Sequence, residues 1–307
     1  MPRVAPMSRL PSSSRLPSAP LAALIVANAL LAFGPLLVRL AAQGQGGVGP
    51  VSSAFWRLAI ALPVLSVLAA RSGTMRMGRG AVVAMVFAGV FFAADIASWH
   101  LGIVRTKLAN ATLFGNAASL VYPVYGFLVA RMWPTRSQAA ALVIAALGAA
   151  LLLGRSAELS AANLIGDLLC ITAGLFYAVY LVLIARARDG LAPLPLLALS
   201  TAAGVLPLLA IAWALGESIR PGDWTPLVAL ALGSQVFGQG LMVFALGRLS
   251  PLVVGLGLLT QPVVAATLGW SVFGERLSAA DWIGAALIAV ALVLVTLTPV
   301  PARATSA

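Results

Sequence analysis

The sequence predicts an all-α integral membrane protein with ten transmembrane helices in two inverted five-helix repeats. Three observations predict it. Of 307 residues, 61% are hydrophobic and only 9% charged, with a mean hydropathy of +1.04. A soluble domain carries about a quarter charged residues, so this chain has too few to cover a water-facing surface. Apolar stretches of about 20 residues, enough to cross a ~30 Å hydrocarbon core, recur along the chain. The chain also repeats itself: a shift of 143 or 144 positions lays Leu62-Pro63 on Leu206-Pro207, Arg105 on Arg248 and Gly148 on Ala291. Residues 21–154 and 165–298 thus read as two copies of five spans. An odd number of spans turns the second copy upside down, the architecture in which secondary transporters place a substrate site between the halves.

Taken in order, residues 1–20 hold five Pro, five Ser and three Arg without an acid, the composition of a disordered cytoplasmic tail. A cleaved signal peptide fits poorly, since the first span exceeds a usual signal core and Arg39 would precede the cleavage site. The spans fall at 21–40, 50–70, 81–103, 108–130 and 136–154, then at 165–186, 193–215, 226–247, 251–272 and 281–298, with a cytoplasmic tail at 299–307. Proline interrupts the amide ladder at Pro35, Pro63, Pro123, Pro207 and Pro262, leaving a carbonyl one turn earlier without its donor. Breaks matched between halves mark candidate gating elements. Trp133, Trp213, Trp224, Trp270 and Trp282 lie near span ends, where the indole ring anchors at the interface. Trp56, Trp99, Tyr122, Tyr177 and Tyr180 lie deeper or nearer polar residues and are candidates for a ring-lined cavity wall.

The net charge of +11 is scattered one to three residues at a time, with no stripe to track phosphates, which argues against nucleic acid. The distribution instead orients the chain. With both termini cytoplasmic, Arg71, Arg79, Arg131, Arg136, Arg186 and Arg248 lie inside, while Glu158, Glu217, Asp223 and Glu275 fall outside. The expected location is the inner (plasma) membrane, with the lipid bilayer and a small-molecule substrate as partners. Cys170 and His100 are each the only residue of their kind, so neither a disulfide nor a cysteine-based metal site is available, and no cofactor is expected. A phosphate-binding GxxxxGK[ST] loop is lacking, so the chain itself does not hydrolyse ATP.

Charges inside a span are costly and usually functional. Arg57 lies about seven residues below the outer end of its span and Asp95 about eight, so both are roughly 10–12 Å deep. Either they form a structural ion pair locking spans two and three, or the pair opens so that Arg57 holds a substrate carboxylate and Asp95 accepts a proton or an amine. At 100° per residue Asp95 and Trp99 share a helix face and His100 turns away. His100 is a candidate proton relay with Asp95, or a hydrogen-bonded structural residue. Span four carries Asn110, Thr112, Asn116 and Ser119, with Asn116 a candidate for the cavity and Ala111, Gly115 and Ser119 forming a small-residue face. Such faces serve internal packing or a homodimer. In the second half Tyr177, Gln235, Gln239 and Gln261 complete the candidate substrate-binding set, the two glutamines of span eight falling four apart and hence on one helical face.

The ten-span pattern, Gln261-Pro262, Gly274-Glu275-Arg276, Ile283-Gly284, and the stretch Asp95-Ile-Ala-Ser-Trp99-His100 followed by Asn110-Ala-Thr112 resemble the EamA-type drug/metabolite transporters. The resemblance covers about residues 21–298. It implies a bundle in which spans one to four and six to nine surround the pathway, with spans five and ten peripheral. It further implies export or exchange of small metabolites, a range that includes amino acids, nucleotide-related compounds, sugars and toxic organic molecules. The repeats are not identical under the 143-residue shift: Pro262 falls on Ser119 and Glu275 on Met132. A membrane enzyme would need a carboxylate cluster, a metal triad or an activated nucleophile, and the residues for one are missing. A non-transporting scaffold or receptor would have no use for polarity at mid-bilayer, which Asp95, Asn116, Gln235 and Gln239 supply.

Overall fold

The computed structural model describes residues 18–43, 46–72, 77–106, 108–154, 161–187, 191–273 and 278–297. The predicted N-terminal tail, the Gly274-Glu275-Arg276 motif and the C-terminal tail lie wholly or almost wholly outside them. Among the described residues the regular structure is entirely helical. The first apolar stretch forms α1 (Ser18–Ala32) and α2 (Gly34–Ala42), broken at Phe33 with Pro35 in the first turn of α2. A proline in a first turn removes an amide that has no intrahelical partner anyway. Next come α3 (Pro50–Arg71) and α4 (Arg79–Ile103), each one continuous helix. The fourth stretch divides into α5 (Leu108–Gly115) and α6 (Ala118–Ala130), and α7 (Arg136–Gly154) closes the first half.

The second half opens with α8 (Leu164–Ala187) and α9 (Pro193–Ala214). Its third stretch is not uniform: α10 (Thr225–Ala229) runs into a π-helical segment, Leu230–Gly238, which passes into α11 (Gln239–Leu246). Then α12 (Pro251–Leu258) and α13 (Thr260–Phe273) are separated at Leu259, just ahead of Pro262, and α14 (Ala279–Leu297) ends the bundle. The breaks at Phe33 and Leu259 thus fall beside predicted prolines. The break in the fourth stretch is at Asn116-Ala117 instead, and Pro63, Pro123 and Pro207 sit inside continuous helices.

Among the described residues six runs are long and apolar enough to cross a membrane: Ser18–Ala42, Pro50–Arg71, Arg79–Ile103, Leu164–Ala187, Pro193–Ala214 and Thr225–Leu246. Four further apolar helices are shorter: Ala118–Ala130, Arg136–Leu151, Pro251–Ala265 and Trp282–Val295. The halves interleave. Helix α4 lies along α8 and α9, α3 along α9, α1 along α11 and the π segment, α6 along α12, and α7 along α14. Small residues set the closest crossings, as expected where lipid provides no hydrophobic drive between helices. A Cβ on Gly89 of α4 would collide with the Ser200 carbonyl oxygen of α9, and one on Gly148 of α7 would come within 2.8 Å of the Gly284 carbonyl oxygen of α14.

One end of the bundle is tied by polar contacts between loops. The amide of Gly49 donates to the Ser218 carbonyl at 3.1 Å and that of Gly222 to the Gly46 carbonyl at 2.8 Å. Trp56 Nε1 donates to the Ile219 carbonyl at 2.7 Å, and its ring meets Trp224 edge-on at 4.8 Å, so Trp56 belongs to this loop cluster and not to a cavity wall. Glu217 caps α3, accepting from the amides of Val51 and Ser52 at 3.2 and 2.7 Å. At the same end Arg39 Nη2 donates to the carbonyls of Ile103 and Thr106, and Thr106 Oγ1 donates to Asp167 Oδ1 at 2.6 Å. Trp133, Trp213 and Trp282 are exposed near helix ends, as predicted for interfacial anchors. Cys170 is fully buried beside Gly102, a small core residue as its apolar setting suggested.

Candidate functional site

Seven segments converge on one cavity with about 670 Å³ of empty space, mouth included. The α1–α2 break supplies Leu31, Ala32 and Pro35, α3 supplies Arg57, and α4 supplies Phe92, Asp95, Ile96 and Trp99. The α5–α6 break brings Thr112, Gly115, Asn116 and Ala118. From the second half come Tyr177, Gln239, Leu258, Gln261 and Ala265. Of the eight candidate substrate-binding residues, the structure brings Arg57, Asp95, Trp99, Asn116, Tyr177, Gln239 and Gln261 to one cavity and sets Gln235 behind it. A concave site walled by apolar groups with a few convergent polar ones suits small molecules.

Arg57 is almost wholly buried, and its contacts explain how a cation is held there. Its Nε donates to Gln235 Oε1 at 3.1 Å, and Gln235 Nε2 donates onward to Thr201 Oγ1 at 3.0 Å. Its Cζ lies 5.5 Å from the centroid of the Phe92 ring, within cation–π reach. Among the described residues Arg57 and Asp95 make no direct salt bridge, although each lies within the electrostatic reach of the other. Asp95 makes no hydrogen bond or ion pair among the described residues, and its carboxylate borders the cavity. The guanidinium has a neutral amide for its inner hydrogen bond.

Gln235 and Gln239 do not act as one polar face. The π segment lies between α10 and α11, and it sends Gln235 to Arg57 while Gln239 meets the Tyr177 hydroxyl, with Nε2···O 3.3 Å. Tyr177 stacks on Tyr180 at 5.8 Å and 18°, and Phe92 lies 4.7 Å from Tyr180. Tyr180 therefore backs the wall. Tyr122 is buried elsewhere, stacked on Tyr125 at 6.2 Å.

Trp99 lies over two glycines: a Cβ on Gly34 would meet its ring at 3.1 Å, and one on Gly115 its Nε1 at 2.9 Å. His100, one residue on, is turned away as the helix rotation requires. It faces the start of α3, with Nδ1 2.9 Å from Ser53 Oγ and 3.1 Å from the Pro50 carbonyl oxygen. A carbonyl only accepts, so this contact puts the proton on Nδ1. His100 Nε2 is buried without a partner among the described residues. His100 and Asp95 therefore do not line the same cavity. The side chain of Asn110 lies outside the described residues.

Three participants escaped the sequence reading. Asn28 is a lone amide in the first apolar span, a signal that polarity within a membrane helix deserved. It donates to the Leu24 carbonyl at 2.8 Å and accepts from Gln261 Nε2 at 2.8 Å, joining α1 to α13. Phe92 stands one turn before Asp95, and only the packing of α4 against α3 shows that it lies under Arg57. Thr201 carries no signal above any other hydroxyl in an apolar helix.

Apolar helices of membrane-crossing length, gathered around a buried cavity that Arg57 and Asp95 line, define a multi-pass membrane protein. Residues 164–297 match the model of the EamA-like transporter family. That stretch of the chain is therefore similar to the EamA-like transporter family, in keeping with the resemblance to EamA-type drug/metabolite transporters seen in the sequence. A solved crystal structure shares the fold at a TM-score of 0.74 with 20% identity, over 90% of this chain and 98% of its own. At that identity the likeness concerns the fold alone. A search of curated proteins finds no match.

Proposed function

We propose that the protein is an inner-membrane secondary transporter that exports small metabolites, amino acids or related amphipathic and aromatic solutes, by alternating access between two inverted repeats of five spans. The cavity carries this reading. It is lined from both halves, it holds Arg57 and Asp95 within membrane-length helices, and three helix breaks border or adjoin it. Polar and ionisable groups at such a depth mark solute or ion pathways, and broken helices at a site between repeats are the usual transporter device.

The packing supports the inverted repeat. If the halves are exchanged, α1 against the π segment and α11 is answered by α8 against α4. In the same way α4 against α9 is answered by the π segment against α3, and α5–α6 against α8 by α12–α13 against α1. The pairs α3–α9, α6–α12 and α7–α14 map onto themselves. A solute enters the cavity from the cytoplasm, and the tied loop cluster around Glu217 then parts to release it outside. Export is driven by a proton carried at Asp95 or by a counter-solute.

Efflux from proteoliposomes loaded with a pool of amino acids, polyamines and aromatic metabolites tests the reading, each solute followed by mass spectrometry against protein-free vesicles. Selective loss of one class is the expected result. Equal retention of every solute by folded protein, with and without an imposed pH gradient, would overturn it.

A further inference from the structure

We infer that the bundle binds an anionic phospholipid beside α6, its headgroup phosphate held by Arg186 and Arg131 and an acyl chain laid along Leu120, Val124 and Leu128. The site is on the lipid-facing surface, away from the cavity, and does not rest on the transport reading.

Charge is divided unequally between the two ends of the bundle. Arg71, Arg79, Arg131, Arg136, Arg186 and Arg248 all stand exposed at the end opposite the Glu217 loop cluster, and no acid accompanies them among the described residues. Asp167, Glu217 and Asp223 lie at the other end. A cationic rim without a protein counter-charge draws anionic lipids to the adjoining leaflet, the cytoplasmic one in the proposed orientation. Such a field alone acts on any anion. A site needs guanidiniums held in place next to a surface that fits the rest of the ligand.

Beside α6 both conditions are met. Arg186 Nε donates to the Tyr125 hydroxyl at 2.8 Å, and its Cζ lies 5.4 Å from the centroid of the same ring. Tyr125 is itself stacked on the buried Tyr122, so the seat is fixed. Both Nη groups of Arg186 are left without an acceptor among the described residues. Helix α6 ends at Arg131, which turns the chain at a φ of 51°, and Trp133, two residues on, is 92% exposed. On α6 itself Gly126 faces inward onto Pro251 of α12. At 100° per residue Leu120, Val124 and Leu128 fall within ~80° of one another on the opposite side, and all three are exposed. An apolar stripe running up to exposed guanidiniums fits a molecule that joins a hydrocarbon chain to a phosphate. Arg248 is not part of this site: its guanidinium covers its own helix, 4.0 Å from the Phe244 centroid, with Nη1 on the Phe244 carbonyl.

The test uses the full chain purified in detergent, with retained lipid counted by native mass spectrometry and stability followed by thermal unfolding. The probes are phosphatidylglycerol and phosphatidylcholine with the same acyl chains, and glycerol phosphate as a headgroup without chains. Phosphatidylglycerol should bind tenfold or more tighter than phosphatidylcholine and raise Tm, while glycerol phosphate should do neither. Arg186→Gln with Arg131→Gln should abolish that preference. Tyr125→Phe, which keeps the ring but frees Arg186, should reduce it in part. Arg79→Gln removes an exposed arginine from the same end and should leave it unchanged. The lipid-free Tm of each variant reports its folding, and if the double variant does not fold, Tyr125→Phe against Arg79→Gln decides. Equal retention of the two lipids, or binding of glycerol phosphate as tight as that of the lipid, would overturn the inference. So would an equal loss in Arg79→Gln and in the variants beside α6, which would reduce the effect to the charge of the whole end.

Discussion

Gln235 and Gln239 lie four residues apart in one membrane stretch, yet their replacement by leucine should have unequal consequences. Gln235 is fully buried and makes two bonds, accepting from Arg57 Nε at 3.1 Å and donating to Thr201 Oγ1 at 3.0 Å. Gln235→Leu orphans a charged donor in an interior with no water to replace the acceptor. A bond to a charged group is worth about 1.5–3 kcal/mol, and the neutral bond to Thr201 about 0.5–1.5 kcal/mol. The expected loss is about 2–4 kcal/mol, or a fall in Tm of roughly 5–15 °C at ~2–4 °C per kcal/mol. Gln239 has only the Tyr177 hydroxyl, at 3.3 Å from Nε2 or 3.5 Å from Oε1, at and beyond the long end of hydrogen-bond geometry. Gln239→Leu should lower stability by about 1 kcal/mol or less, while altering solute affinity because the side chain lines the cavity. Thermal unfolding in detergent, followed through the seven tryptophans, reads both variants. Arg57→Met combined with Gln235→Leu should recover much of the loss, since removing both partners of a buried bond is milder than removing one. Equal Tm shifts for the two glutamine variants, or a double variant no better than Gln235→Leu, would refute the assignment of Gln235 as the support of Arg57.

Three further outcomes follow from the geometry. Exchanging the charges, Arg57→Asp with Asp95→Arg, should not restore folding or transport, because Arg57 is held by Gln235 and Phe92 and not by the carboxylate; restoration in a proteoliposome flux assay would revive the ion-pair lock. Glu217→Ala should lower stability by about 1–2 kcal/mol through loss of the α3 cap and speed labelling of a cysteine placed at Ser53, whereas Glu217→Gln, which keeps one acceptor, should do less on both measures. Gly89→Ala should strongly reduce the folded yield in membranes, since its Cβ meets the backbone of α9, while Gly233→Ala, with nothing within 4 Å of the added carbon, should fold normally.

Much of this was legible in the sequence because membrane physics is local. Helix positions follow from the ~20-residue apolar period, and the depths of Arg57 and Asp95 follow from counting residues at a fixed rise. The opposite turns of Trp99 and His100 follow from 100° per residue and hold in the structure. Partner choice was not legible, because it depends on which side chains from distant helices meet. Arg57 and Gln235 are 178 positions apart, and Asn28 and Gln261 233. The π segment defeated the argument from i and i+4, since a widened helix no longer repeats at 3.6 residues. The break at Asn116-Ala117 has no proline to announce it. Trp56 was misread for a similar reason: its depth was right for a cavity, but its partner, the Ile219 carbonyl, lies in a loop of the other half.

The two halves supply unlike residues to positions that the proposed symmetry makes equivalent, and the proposed function draws on that difference. The 144-residue shift that superposes Pro63 on Pro207 also lays Arg57 on Thr201, and the 143-residue shift lays Phe92 on Gln235. Arg57 thus touches Phe92 from its own half and Gln235 from the other, and Gln235 in turn reaches Thr201, so the chain of contacts straddles the line between repeats. A strictly symmetric pair would place two guanidiniums at that line, where their repulsion in a medium of low polarity would be prohibitive. Only one half therefore carries the cation. The other half has a hydroxyl at that position and an amide one helix away, and these hold the guanidinium without cancelling its charge. Helix α4 remains a regular α-helix pressed on α9 at Gly89, whereas its counterpart is widened into the π segment that carries Gln235. In the proposed function, duplication supplies the frame in which the halves move against each other, and divergence at a few positions on their common line places the Arg57 guanidinium at the cavity.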